Sequence, residues 1–232
     1  MAIGDVHTAA EFSRSALLVI DTQVDFVDGG SSPITGTTQV VPRIADLLTA
    51  FRVANRPIVH VIRLYQGEDV DLVRRTLIMA QSNVVSPGSK GSQIVGALHD
   101  SSRDAVELDH QILLRGQLQE LGPNETALWK PRWSAFFRTP LDEHLRGQDI
   151  STVVIAGCNF PNCPRATAVD ASERDYRALI TTDATSGIKP GHLDEMTGIG
   201  VLSATTQQIT QMLRTVATNP AGPPTRDRAT SY

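Results

Sequence analysis

The sequence predicts an α/β fold: three layers (α/β/α), with helices on both faces of a mostly parallel, Rossmann-like sheet of about six strands. Short, continuous apolar runs such as Ala16–Ile20 (ALLVI) and Thr152–Ala156 (TVVIA) have the pattern of strands buried on both faces. Between such runs lie stretches with apolar residues at helical spacing, so strand and helix alternate along the chain. The length of 232 residues, with 41% hydrophobic and 20% charged side chains, suits one domain with a sizeable core.

Each element follows in chain order. Residues 1–14 are polar and mixed, and are expected to form a flexible or surface-lying arm; the domain itself is expected over 15–215. ALLVI is the first strand. Pro42–Asn55 places Ile44, Leu47, Leu48 and Phe51 on one helical face. Pro57–Ile62 (PIVHVI) is β-branched and reads as the second strand, with His60 packed in the core, and Ala127–Trp129 is a short strand. Thr139–Leu145 is helical, with Gly147 as a plausible cap. TVVIA is the clearest strand. It is followed by a helix over Asn162–Tyr176, a strand over Ala178–Thr182, a weaker strand over Gly200–Ser203 and a helix over Thr205–Leu213. Residues 216–232, rich in Pro, Thr and charge, read as a flexible tail.

Composition excludes several function classes. The 21 basic and 25 acidic side chains give a formal charge of -4, with no basic run, so nucleic acid is not an expected partner. No apolar stretch approaches the ~20 residues that cross a bilayer. The N-terminus lacks the basic and apolar regions of a signal peptide. Two cysteines, Cys158 and Cys163, are too few for a disulfide framework and point to a reduced, cytoplasmic location. Their spacing is not that of a Cys-x-x-Cys redox pair. The segment Ser86–Ser92 lacks the spacing of a phosphate-binding loop and reads as a plain loop.

In parallel sheets, ligands sit beyond the carboxyl ends of the strands, so polar residues just after strands carry the functional signal. Asp21 follows ALLVI. A carboxylate there either caps the next turn or does chemistry, since an unpaired buried charge is costly. Lys130 follows the short strand before it. A lysine at an element end is ordinarily solvated, but this one is flanked by Trp129, Pro131, Trp133, Phe136 and Phe137. An ammonium in an apolar wall needs a carboxylate partner or a lowered pKa. After TVVIA, Gly157–Cys163 forms a tight turn that puts Cys163 near a helix N-terminus, where free N–H groups favour a thiolate and can hold an oxyanion. Cys158 continues the apolar strand and fits a structural role. Asp, Lys and Cys from three strand ends could meet in one crevice.

The segments LLVIDTQVDF, WKPRWSAFFRTPLDEHL and TVVIAGCNFPNCPRATAVDASERDY, in this order, resemble the isochorismatase-like cysteine hydrolases over roughly residues 14–214. That family includes nicotinamidases, N-carbamoylsarcosine amidohydrolases, ureidoacrylate and biuret hydrolases, and isochorismatases. The resemblance implies Asp21, Lys130 and Cys163 as the catalytic triad. It also implies a cis peptide between Cys158 and Asn159, and an oxyanion hole from the N–H groups of Asn159 and Cys163. Phe160-Pro161 and Pro164 depart from the family's usual turn, and Pro164 can sit in the first helical turn without loss. The Asp-x-His pattern of the metal-binding nicotinamidases is missing from HVIRLYQGEDVDLVRR. No metal and no cofactor are therefore expected, and a small-molecule substrate is.

Family substrates are often small acids, so an arginine fork for a carboxylate is expected, with Arg63, Arg132 and Arg165 as candidates and a surface or ion-pair role as the ordinary alternative for each. Gln23 and Asn159 are candidates to orient substrate or support Asp21. Phe26, Trp133 and Phe160 are candidate apolar walls, with core packing as the alternative for each. A homo-oligomer, dimer or tetramer, is implied by the family. The expected reaction is amide, ureido or carbamoyl C–N hydrolysis through a thioester. The rivals are vinyl-ether hydrolysis that does not use the cysteine, a non-catalytic binding member, and a redox-sensing pair of thiols.

Overall fold

The structure is a computed structural model that describes residues 5–80 and 83–218. Its frame is one seven-stranded sheet in the order β3-β4-β2-β1-β5-β6-β7. The strands are β1 (Ser15–Ile20), β2 (Ile58–Ile62), β3 (Gln119–Gly122), β4 (Glu125–Trp129), β5 (Thr152–Gly157), β6 (Arg177–Thr185) and β7 (Leu202–Ala204). All neighbours are parallel except β3 and β4. The sheet thus has one strand more than expected. The extra strand is β3, short and polar at its start, which carries no continuous apolar run to signal it.

Among the described residues, seven α-helices surround the sheet: α1 (Thr37–Val53), α2 (Leu72–Met79), α3 (His110–Leu114), α4 (Leu141–Gly147), α5 (Cys163–Ser172), α6 (His192–Thr197) and α7 (Thr206–Thr218). Alternation along β1 divides the core. Leu17 and Val19 pack on one face with Ile44, Leu47, Leu48 and Phe51 of α1, Leu113 of α3 and Ile209 and Leu213 of α7. Ala16, Leu18 and Ile20 pack on the other face with Leu141 and Leu145 of α4, Ala168 and Ala171 of α5 and Met196 of α6. Every residue of β1 and β5 is buried, as continuous apolar runs require in the middle of a covered sheet.

Boundaries moved in places. α1 starts at Thr37, after Gly36 at φ 86°, and carries Pro42 inside it. Gly147 is the last residue of α4 rather than its cap, which is Gln148. α2 had no sequence signal, because none of its residues is buried. Residues 5–14 lie against the domain, not free of it: Phe12 enters the core, and the Glu11 carboxylate takes bonds from Ser151 Oγ at 2.5 Å and Arg177 Nη1 at 3.2 Å. Of the proposed tail at 216–232, residues 216–218 end α7, and the remainder lies outside the described residues.

The chain runs outward from β1 through β2 to β4 on one side. It then returns to β5 beside β1 and runs outward through β6 and β7 on the other. The strand order therefore reverses around β1, and the crevice beyond its carboxyl end is where such sheets place a ligand.

Candidate active site

Four strand ends feed that crevice. Asp21 follows β1, Arg63 follows β2, Lys130 follows β4, and the turn from Cys158 to Asn162 follows β5. Asp21 adopts φ 51°, a left-handed conformation that aspartate tolerates better than most residues. Its N–H is fixed by the Val61 carbonyl at 2.8 Å. Its own carbonyl accepts from Cys158 Sγ at 3.0 Å. That bond explains Cys158: it is fully buried, its thiol is pushed well up by burial and then by Asp21, and it ties β5 to the Asp21 turn.

Lys130 is completely buried, and its Nζ donates to Asp21 Oδ2 at 2.9 Å and to the Arg132 carbonyl at 3.3 Å. A buried ion pair is a poor stabiliser, because desolvation offsets most of the attraction, so its presence in a crevice points to chemistry. Among the described residues, no group donates a hydrogen bond to the buried Asp21 Oδ1. That oxygen is the unsaturated acceptor of the site.

Cys163 opens α5 and is 7% exposed. Burial, followed by the charge of Asp21, pushes its thiol up to about 11, while Lys130 and Arg63 pull it down. The helix N-terminus, expected to favour the thiolate, is thus opposed in the free protein by desolvation and the adjacent carboxylate. The Cys158–Asn159 peptide is cis, as the resemblance implied. Bonds in the turn run from Phe160 N to Ser186 O at 2.8 Å and from Asn162 N to Asn159 O at 3.0 Å, and engage neither the Asn159 nor the Cys163 N–H. Pro164 lies in the first turn of α5, where its missing N–H is harmless.

The remaining candidates divide. Gln23 is not free to bind substrate: its Nε2 donates to the Arg63 and Ser92 carbonyls at 2.8 and 2.6 Å, and its Oε1 accepts from Arg63 N at 2.8 Å. It is a backbone bracket between three segments. Arg63 is also committed, paired with Asp71 and packed over the Tyr65 ring at 5.3 Å. Burial works against its charge, but Tyr65, Asp21 and Cys163 outweigh it, so the guanidinium is held above its ordinary value. Arg132 pairs with Asp69 at 3.0 Å, and Arg165 pairs at the surface with Glu195 at 3.1 Å. Each of the three arginines therefore already has a carboxylate partner within the chain.

Among the apolar candidates, Phe160 is fully buried and stacks on the half-buried His192 at 5.1 Å, so it is a core residue. Phe26 is buried in a small cluster with Tyr65, Val70, Val85 and Cys158. Trp133 is 41% exposed and remains available as a wall. Asp71 was missed by the sequence reading, since in GEDVDLVRR it looks like an ordinary surface charge. Among the described residues, no group of three or more His, Cys, Asp or Glu side chains is placed to hold a metal ion. No described helix is long and apolar enough to cross a membrane.

Fold and candidate site together fit a hydrolase built on a mostly parallel sheet, with the candidate groups at the strand-order reversal, and the comparisons agree on the class. Residues 15–212 match the Isochorismatase domain, and the chain belongs to that family. It is 30% identical over 214 residues to a probable inactive nicotinamidase of Arabidopsis thaliana, covering 88% of this chain and 99% of that protein. It is 28% identical over 200 residues to a ureidoacrylate amidohydrolase of Methylorubrum extorquens, covering 81% of this chain and 75% of that protein. The crystal structure of an isochorismatase family protein from Desulfovibrio vulgaris superposes with a TM-score of 0.72 at 31% identity, covering 87% of this chain and 98% of that one.

Proposed function

We propose that this chain is a cysteine-dependent amidohydrolase that cleaves the C–N bond of a small amide, ureido or carbamoyl substrate. Asp21, Lys130 and Cys163 are its catalytic residues. The observation that carries the reading is the Asp21 carboxylate: Lys130 holds Oδ2, while Oδ1 is buried without a partner and the Cys163 thiol lies within the field of that charge. Amidohydrolase relatives support the class of bond.

In this mechanism Asp21 takes the thiol proton as the Cys163 sulfur bonds to the substrate carbonyl carbon. The oxyanion is stabilised by the N–H groups of Asn159 and Cys163. The C–N bond then breaks, and protonated Asp21 returns its proton to the leaving ammonia or amine. Water attacks the thioester with Asp21 as base, the C–S bond breaks, and the proton goes back to the sulfur. The raised thiol fits this order, because sulfur is deprotonated only as it attacks.

Cys163→Ser is expected to abolish ammonia release from a panel of small amides, ureas and carbamoyl acids, with an unchanged circular dichroism spectrum. Near-normal ammonia release in that purified variant would sink the cysteine mechanism. The relative described as inactive supports a second reading, a non-catalytic member, which predicts no hydrolysis across the panel by the wild-type chain.

A further inference from the structure

The support behind the Asp21–Lys130 pair converges on one side chain. Arg63 Nη1 donates to the Arg132 carbonyl at 2.7 Å and to the Lys130 carbonyl at 3.4 Å. The Lys130 ammonium donates to the same Arg132 carbonyl at 3.3 Å while it holds Asp21. A guanidinium and an ammonium therefore share one oxygen, and both side chains are buried. Arg63 is itself fixed from every side. Gln23 brackets its backbone N–H and carbonyl, Asp71 takes its guanidinium, and the Tyr65 ring lies beneath.

Two buried cations on one carbonyl persist only if anions balance them. Asp21 and Asp71 do so in the free protein. The balance changes when the Cys163 proton moves to Asp21: the carboxylate becomes neutral, and the sulfur becomes the anion facing the cations.

We propose that Arg63 is a positioning residue of this centre. It holds the Lys130–Arg132 backbone so that the ammonium stays on Asp21. Lys130 and Arg63 both favour the thiolate against burial, which agrees with this role. The effect on turnover rests on the cysteine-hydrolase reading, while the effect on the thiol does not.

The test uses the full chain with Arg63→Lys and with Arg63→Met/Asp71→Asn, in which the second change avoids a buried, unpaired carboxylate. Two quantities are read: the rate of Cys163 alkylation by iodoacetamide, followed by peptide mass spectrometry, and kcat and KM for ammonia release. In the charge-free double variant, alkylation at pH 8 is expected to fall about tenfold, the effect of one pKa unit. Its kcat should fall about tenfold or more with KM changed far less. Arg63→Lys should restore most of the alkylation rate but not kcat, because an ammonium lacks the fork that reaches both carbonyls.

Wild-type alkylation and kcat in the folded double variant would overturn the proposal. So would a variant that loses thermal stability alone. If the double variant does not fold, a wild-type kcat in Arg63→Lys overturns the positioning role and a reduced one supports it. Turnover that survives Cys163→Ser would instead overturn the cysteine reading, and the alkylation comparison, which needs no turnover, would still judge Arg63.

Discussion

Lys130 is the residue on which the candidate site depends most heavily, since it is fully buried and, among the described residues, pairs with the carboxylate of Asp21 alone. Lys130→Met leaves that carboxylate buried without its cation, an expected cost of roughly 3–5 kcal/mol, together with loss of activity. Urea unfolding checks the first, and adding Asp21→Asn should recover part of the stability but none of the turnover. Asp21 and Lys130, each just past a strand, and Cys163, at the start of α5, were singled out in the sequence by position, and the structure pairs the first two. Gln23 and Arg63 were legible only as polar residues near the right place. The bonds that commit them join positions 40 residues apart in the chain, and nothing in either local sequence encodes the partner. Arg165 is a like case, since its partner, Glu195, lies on another helix.

At the level of elements, the junction from β5 to α5 governs the site. Gly157 ends β5 with φ 115°, and a Cβ there would overlap the Ile20 carbonyl oxygen of β1. Gly157→Ala therefore combines a strained backbone, about 1–3 kcal/mol by itself, with a clash beside Asp21. A lowered melting temperature and a loss of ammonia release are expected together; a variant that melts like wild type would show that the junction yields more easily than its geometry implies. The strands and the longer helices were legible from apolar runs and periodicity. α2 and β3 were not. α2 buries none of its residues, and β3 is only four residues long and buries the polar Gln119 beside Leu121, so neither produces the pattern that burial writes into a sequence.

Across the whole molecule, a second buried network ties the halves of the frame together away from the crevice. Glu125 at the start of β4 accepts from Arg52 of α1 at 2.7 and 2.9 Å, from Arg103 at 3.0 Å, and pairs with His60 of β2 at 2.8 Å. Burial would raise this carboxyl, but His60 and Arg52 win and hold it down at about 2. A depressed carboxylate stabilises fully above its unfolded value of about 4.5 and loses that contribution as the pH falls toward about 2. With solvent screening included, the contribution is about 2 kcal/mol. The stability difference between wild type and Glu125→Gln, measured by urea unfolding, should shrink steadily over that window; a constant difference would contradict the assignment.

The two borders of the sheet have a different consequence. One ends in the four-residue β3, antiparallel and with its register broken between Glu120 and Gly122, and the other in the three-residue β7. Rows of unpaired backbone donors and acceptors that short offer little template for another strand, and a bulge turns what remains aside. The molecule is thus guarded against strand-by-strand stacking, the route to fibrous aggregation, and copies that associate are directed to meet through helical and loop surfaces.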